Sequence, residues 1–485
     1  MSEIKVYNTK TRQKETFKPL KDGEVKIYLC GPTVYDFLHI GNFRGAIVFN
    51  LIRNWFEKSG FKVTFVYNYT DVDDKIIKRA NELKISSHDL ATQFIGEFEK
   101  DFKALGLKPH DHNPRVTEYM DEIIQMVQQL IEKNHAYVVD GEVFYAVDSF
   151  EPYGKLSHKN IDELQSGIRV EIGSKKKNPL DFSLWKPAKS GEPKWSSPWG
   201  DGRPGWHIEC SAMSHKILGE TFDIHGGGID LIFPHHENEI AQSEGSTGKT
   251  MANYWVHNNF INFGSEKMSK SLGNVTTVRK FLEKYNPEIL KYLILMAHYR
   301  SHSDFSPTQI ENAIRALARI YSGLALVQTV LKSSVAPEVD KNFEKQIQEA
   351  SVLRSEALND DFNTPEVFAR VFELIRSFNA GYRPGMKVTP QVKWRATELQ
   401  KFILESGELM SLFQEAPDKF LRLLDDMLLE QMGIQRANID SLIQERNQAR
   451  QAKDFKKSDE LRAQLVGQGI AVHDSVEGTL WEVQK

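Results

Sequence analysis

The chain has 485 residues, 40% apolar and 26% charged, which suits several packed domains and excludes a disordered or fibrous polymer. Its formal charge is -4 and its sequence pI about 6.5, so a nucleic-acid partner has to be met by a local basic face rather than by bulk charge. Two cysteines, Cys30 and Cys210, exclude a disulfide framework and leave core or metal roles. The densest apolar segment, Ile289 to Met296, is far too short to span a bilayer, and Met1 to Leu20 is charged without an apolar core, so a cytoplasmic protein without a membrane partner is expected.

In chain order, Val25, Ile27 and Leu29 alternate as a strand does, and the pattern breaks at Gly31-Pro32. Val48, Leu51, Ile52, Trp55 and Phe56 then recur at helical spacing up to Gly60, and Val63 to Tyr67 reads as a second strand. In such strand-helix-strand units, ligands sit beyond the carboxyl ends of the strands, where helix N-termini present free N–H groups to phosphates. His39-Ile40-Gly41-Asn42 falls at that place, with His39 and Asn42 on one helix face and Gly41 allowing close approach.

Between Lys75 and Trp206 the chain becomes an insertion, with helices expected near 87 to 105 and 117 to 133. Tyr137 to Tyr145, with Asp140-Gly141 between β-rich runs, predicts a hairpin with a tight primed turn. Asn178 to Pro204, rich in Gly, Pro and Trp, reads as loop. Trp206 to Phe263 is expected to complete a doubly wound sheet, Phe222-Asp223-Ile224 being a short strand that leads into a glycine loop at His225 to Gly228. His235 and Glu239, four apart, project side by side from a helix, whereas the residue four beyond His236 is the apolar Ile240. Lys267-Met268-Ser269-Lys270-Ser271 follows as a cationic loop. The remainder reads as mostly helical, and Leu442 to Leu465 as a basic helix ahead of Trp481.

HIGN at 39–42 and KMSKS at 267–271, in this order, resemble the two signature sequences of class I aminoacyl-tRNA synthetases. Cys30 to Asp36, Thr70 to Lys75, Trp206 to Cys210, His225 to Gly228 and Phe233 to Glu239 further resemble cysteinyl-tRNA synthetase, over nearly the whole chain. The resemblance implies an α/β fold: a doubly wound Rossmann-like catalytic domain in two halves (1–75 and 205–265) and an α/β connective insertion (76–204). It also implies a KMSKS loop with stem-contact helices (266–325), a helical anticodon-binding bundle (326–435) and a small C-terminal domain (436–485). The implied reaction joins cysteine to ATP as cysteinyl-adenylate with release of pyrophosphate, then passes the acyl group to the terminal adenosine of cysteine tRNA.

By the same resemblance, Cys30, Cys210, His235 and Glu239 hold one Zn²⁺ per chain, ligand types that suit zinc. Thr70, Trp206 and Cys30 line the cysteine pocket. His39, Asn42, Lys267 and Lys270 are the catalytic set, with Lys270 the first choice for transition-state charge. Gly41, His225, Gly226, Gly227, Gly228 and Asp230 join His39, Asn42 and Lys270 in binding ATP, which is expected with Mg²⁺. Arg446, Arg450, Lys453 and Trp481 are candidates for tRNA contact, Trp481 being equally readable as a core plug or a stacking platform. A monomer is expected. Two positions depart from the usual patterns: Asn42 stands where many class I enzymes have a second histidine, and Asn259 where glycine is expected. Two rival readings are a ligase joining activated cysteine to an amino sugar and a non-catalytic RNA-binding relative; the helical tail argues against the first and the intact signatures against the second.

Overall fold

The computed structural model describes residues 3–159, 175–263, 266–267, 276–475 and 478–485, and the chain divides into two compact units. The first comprises Met1–Arg279, Ala297–Ser303 and Leu358–Asn363, and the second the remaining residues.

In the first unit a hairpin, β1 (Lys5–Asn8) and β2 (Gln13–Thr16), precedes β3 (Glu24–Leu29), α1 (Ile40–Lys58) and β4 (Lys62–Tyr67). After it come α2 (Asp74–Leu83), α3 (Ser87–Ala104), α4 (Met120–Glu132), β5 (Ala136–Val139), β6 (Glu142–Tyr145), β7 (Phe182–Pro187) and β8 (Gly202–Pro204). The unit continues with α5 (Trp206–Leu218), β9 (Phe222–Gly228), α6 (Glu237–Thr247), β10 (Ala252–Asn258), β11 (Ile261–Phe263) and β12 (Glu266–Lys267). The central sheet is parallel with order β10-β9-β3-β4. Chain order reverses between β3 and β9, so a crevice opens at the carboxyl ends of those two strands, the usual place for a nucleotide. Val48, Leu51, Ile52, Trp55 and Phe56, the residues whose spacing predicts the helix, are all buried in α1.

Two segments differ from expectation. The glycine run 226–228 is not a loop but the end of β9, where Gly226 is paired to Leu29; a Cβ on Gly226 would lie 2.1 Å from Phe49, so glycine is required by close packing in a central strand. Residues 182–187 and 202–204, expected as loop, complete an antiparallel sheet β5-β6-β7-β8 in which Phe182, Leu184 and Trp185 are buried. The hairpin between β5 and β6 turns as expected, with positive φ at Asp140 (51°) and Gly141 (80°).

The second unit is helical: α7 (Pro287–Leu295), α8 (Pro307–Leu331), α9 (Lys341–Asn359), α10 (Thr364–Gly381), α11 (Pro390–Met410) and α12 (Pro417–Gln431), then α13 (Arg436–Gln451), α14 (Phe455–Gly467) and the hairpin β13 (Ile470–Ser475) and β14 (Gly478–Val483). Asn286, Ser306 and Thr389 cap helices whose first residue is proline, whose missing N–H is one of those a helix start leaves unbonded. Helix α8 is long and apolar enough to cross a membrane by length and composition, and half of its most apolar window is buried within the protein. The single basic helix expected over 442–465 is two helices broken at Lys453, whose φ is +61°. Their core, Ile439, Ile443, Leu465, Ile470, Val472 and Val483, closes over Leu429 of α12.

Candidate metal and nucleotide site

Pairing of β3 with β9 and a bond from the Cys30 N–H to the Gly226 carbonyl (3.0 Å) set Cys30 at the crevice. Cys210 comes from α5 and Glu239 from α6, with His235 just ahead of α6. The four donor groups converge: Cys30 Sγ lies 3.8 Å from Cys210 Sγ, 3.7 Å from His235 Nε2 and 3.4 Å from Glu239 Oε1, and His235 Nε2 lies 3.0 Å from Glu239 Oε1. Donors at the corners of a tetrahedron around zinc, with bonds of about 2.3 Å to sulfur and about 2.0–2.2 Å to nitrogen and oxygen, stand roughly 3.3–3.8 Å apart. The three separations from Cys30 fall in that range, whereas His235 and Glu239, at 3.0 Å, stand at hydrogen-bond distance and would part slightly around an ion; three of the four members are buried.

Cys30, His225, His236 and Glu239 form an overlapping group. Oε1 of Glu239 faces Cys30, His235 and, at 3.9 Å, His236 Nε2, which also lies 3.3 Å from Cys30 Sγ, whereas Oε2 meets His225 Nε2 at 2.8 Å. His225 thereby orients the carboxylate, as outer-layer partners of metal ligands do. His235 has such a partner too, since its Nδ1 lies 2.9 Å from His207 Nδ1, and Trp206 stacks on its ring at 4.3 Å. His236 is held through Nδ1 by His257 Nε2 (2.8 Å), and the other ring nitrogen of His257, Nδ1, meets Thr9 Oγ1 at 2.7 Å. Burial lowers the pKa values of His207 and His236, so these rings stay neutral at physiological pH. Burial raises the carboxyl of Glu239, but His225 and His235 overcome it and hold it well below its usual range. A bond from Cys30 pulls the Cys210 thiol down to about 6, while burial pushes Cys30 up.

Thr70 is buried beside the cluster and donates to Glu209 Oε2 at 3.1 Å; Trp206 is 40% exposed at the rim. His225, expected at the nucleotide, is instead fully buried against Trp255, with its ring 4.5 Å away and its Nε2 committed to Glu239. Gly227 is buried and Gly228 half-buried at the end of β9, and Asp230 is exposed. At the N-terminus of α1 the His39 N–H donates to Asn42 Oδ1 (3.2 Å), which leaves the Asn42 amide nitrogen to donate outward. Backbone bonds tie this turn to the chain beyond the lysine motif: Ile40 N–H to Thr276 O (3.2 Å) and Val278 N–H to Leu38 O (3.1 Å). Lys270 lies outside the described residues, and of Lys267 the structure gives the strand β12, paired through Asn262.

In the second unit, Arg446 is buried (3% exposed) and both its terminal nitrogens bond Asp474 at 2.8 Å; Arg450 also pairs with Asp474. Arg446 is therefore committed within the C-terminal module rather than presented to a partner. Trp481 is half-buried, its Nε1 donating to Asp440 (2.9 Å) with Arg436 over its ring, whereas Lys453 is exposed and Phe455 is 64% exposed. A cavity of about 880 Å³ in the same unit is lined by Arg315, Arg319, Arg376, His473 and Lys485, with Glu482 as its acid. No acidic partner pairs with Arg319 or Arg376 among the described residues.

Residues 16–315 match the model of the class I (C) tRNA synthetase catalytic domain, residues 355–414 the DALR domain, and residues 436–481 the cysteinyl-tRNA ligase anticodon binding domain. The cysteine–tRNA ligase of Bdellovibrio bacteriovorus is 55% identical, covering 99% of this chain and all of that protein. The chain belongs to the cysteine–tRNA ligase family. A further cysteine–tRNA ligase, from Geobacter sulfurreducens, is 46% identical over 99% of this chain and all of that protein. The fold is also that of Mycobacterium tuberculosis methionyl-tRNA synthetase in complex with methionyl-adenylate, at a TM-score of 0.62 and 15% identity, covering 83% of this chain and 94% of that one. Cysteine–tRNA ligases thus share with this chain the catalytic core, the helical bundle and the small C-terminal module.

Proposed function

We propose that this member of the cysteine–tRNA ligase family activates L-cysteine with ATP and Mg²⁺ and transfers it to cysteine tRNA, and that one zinc ion held by Cys30, Cys210, His235 and Glu239 selects the substrate. The observation that carries the zinc reading is the convergence of two thiols, an imidazole and a carboxylate whose ligand atoms all lie within 4.8 Å of one another in one crevice. Zinc bound there supplies a soft partner that a thiolate ligates and a neutral hydroxyl does not, which distinguishes cysteine from serine.

The other steps belong to side chains. Thr70, held by Glu209, and Trp206, stacked on His235, bound the space beside the cluster and orient the amino acid. The carboxylate of cysteine attacks the α-phosphate of ATP; His39 and the outward Asn42 amide, at the N-terminus of α1, bind the phosphates, with Gly41, Gly227, Gly228 and Asp230 along the nucleotide. Lys267 and Lys270 supply positive charge as pyrophosphate departs. His225 supports Glu239 and is not assigned to ATP.

For tRNA, the exposed Lys453, Arg450 and Phe455, together with the cationic cavity near Arg319 and Arg376, supply phosphate contacts and a stacking surface. Trp481 is read as a platform already engaged within the module, and the protein as a cytoplasmic monomer. The test is aminoacylation of bulk tRNA with radiolabelled cysteine. Charging of one tRNA species with cysteine alone supports the reading, and charging with another amino acid, or none while adenylate forms, overturns it.

A further inference from the structure

Arg44 lies two residues beyond the HIGN motif, in the second turn of α1, and is fully buried. Its Nη1 donates to the Phe260 carbonyl, and its Nη2 to the carbonyls of Tyr299 (3.2 Å) and Ser301 (2.6 Å). Among the described residues no carboxylate pairs with it and Nε has no partner. Burial lowers its pKa to about 10, so the group is cationic at neutral pH. A buried guanidinium without a counter-ion is costly, and an apolar side chain would fill the same volume at lower cost, so its presence calls for a reason other than packing.

The carbonyls that it gathers suggest the reason. Asn259 donates its N–H to Tyr299 O and its side-chain amide to Arg300 O, both at 2.9 Å. Phe260 then enters β11, whose Asn262 pairs with Lys267. Arg44 thus joins the helix that opens with His39 and Asn42 to the stretch that leads into the strand bearing Lys267, and it does so through a planar fork that lysine does not possess.

We propose that Arg44 is a positioning residue for adenylate formation: its bonds to the carbonyls of Phe260, Tyr299 and Ser301 fix the backbone at Asn259–Ile261, and through β11 the strand of Lys267, against the phosphate-binding N-terminus of α1, where its charge adds to the positive field. This rests on the ligase reading above. The test compares Arg44→Lys, which keeps the charge and loses the fork, with Arg44→Met, which loses both. Cysteine-dependent ATP–pyrophosphate exchange is measured per active site, counted by the adenylate burst, beside the melting temperature. Arg44→Lys is expected to keep the KM for ATP within threefold and lower kcat at least tenfold. Arg44→Met is expected to lower kcat at least a hundredfold and raise the KM for ATP at least tenfold, with the KM for cysteine unchanged within threefold in both. Folded variants with parental kcat and KM per active site would overturn the proposal. So would failure of both variants to fold, which would make Arg44 a packing residue. Absence of exchange in the parent protein would instead refute the ligase reading, and so separates the two.

Discussion

Replacing Cys210 with alanine removes one of four donors from a site in which the thiol is 2% exposed and 3.8 Å from Cys30. A structural four-donor zinc site binds with an apparent free energy of about 10–16 kcal/mol, so an equal share per donor is roughly 2.5–4 kcal/mol, a loss of about 10²–10³ in affinity. The packing change from sulfur to methyl is far smaller, about 1 kcal/mol, so the fold survives while the ion is lost. The assay is elemental analysis after dialysis against zinc buffers of graded free concentration, alongside thermal melting with and without chelator. The parent should hold one zinc per chain and lose stability on chelation, by about 2.7 kcal/mol for an ion present at a hundred times its Kd. Cys210→Ala should need the higher zinc concentration and melt alike with and without chelator at low zinc. Active parent protein free of zinc, or a variant that retains zinc equally, would refute the argument.

Asp474→Asn leaves the buried Arg446 without its carboxylate; because Asp474 is a third exposed, the expected loss is about 2 kcal/mol, read as faster hydrogen exchange over residues 436–485, and unchanged exchange would contradict it. The Arg446 and Arg450 guanidinium groups hold the Asp474 carboxyl below its usual range, so this stability is present above the unfolded value near pH 4 and is lost as pH falls below it. His110, packed at 4.7 Å against both Tyr67 and Phe102, has its pKa lowered by burial to about 3. The unfolded chain therefore takes up a proton first, and stability falls from about pH 6.5 downward, by about 1–2 kcal/mol at pH 5. His110→Gln should shrink the difference between pH 7.5 and pH 5 melts by that amount, and an unchanged difference would count against it. Phe455→Ala should lower kcat/KM for tRNA by roughly 5- to 150-fold, the worth of one stacked base, with pyrophosphate exchange intact; equal charging would remove Phe455 from the tRNA surface.

Much of this was legible in the sequence where structure is local. Val25 to Tyr67 carries both periods openly, and the i, i+4 spacing of His235 and Glu239 survives as neighbouring donors. What was hidden depended on tertiary pairing. Gly226 to Gly228 read as a turn because glycine favours turns, yet here small size lets β9 pass under Phe49. The strand Phe182–Pro187 was masked by neighbouring prolines and glycines, although Phe182 and Leu184 already carried one buried face and Trp185 is buried on the other. Cys30 and Cys210 have no spacing that points to a shared ion; only the β3–β9 crevice brings them together. His207 and His225 were visible as motif residues, but their support of His235 and Glu239 was not. Arg446 read as a candidate for tRNA contact because its partner Asp474 lies in a separate hairpin.

The measurement that bears most directly on the account is ATP–pyrophosphate exchange with cysteine and with serine, side by side in the zinc-loaded protein. Selection through a group that serine lacks predicts a cysteine preference in kcat/KM of about 10⁴ or more. A preference below about a hundredfold, or faster exchange with any other amino acid, would contradict it.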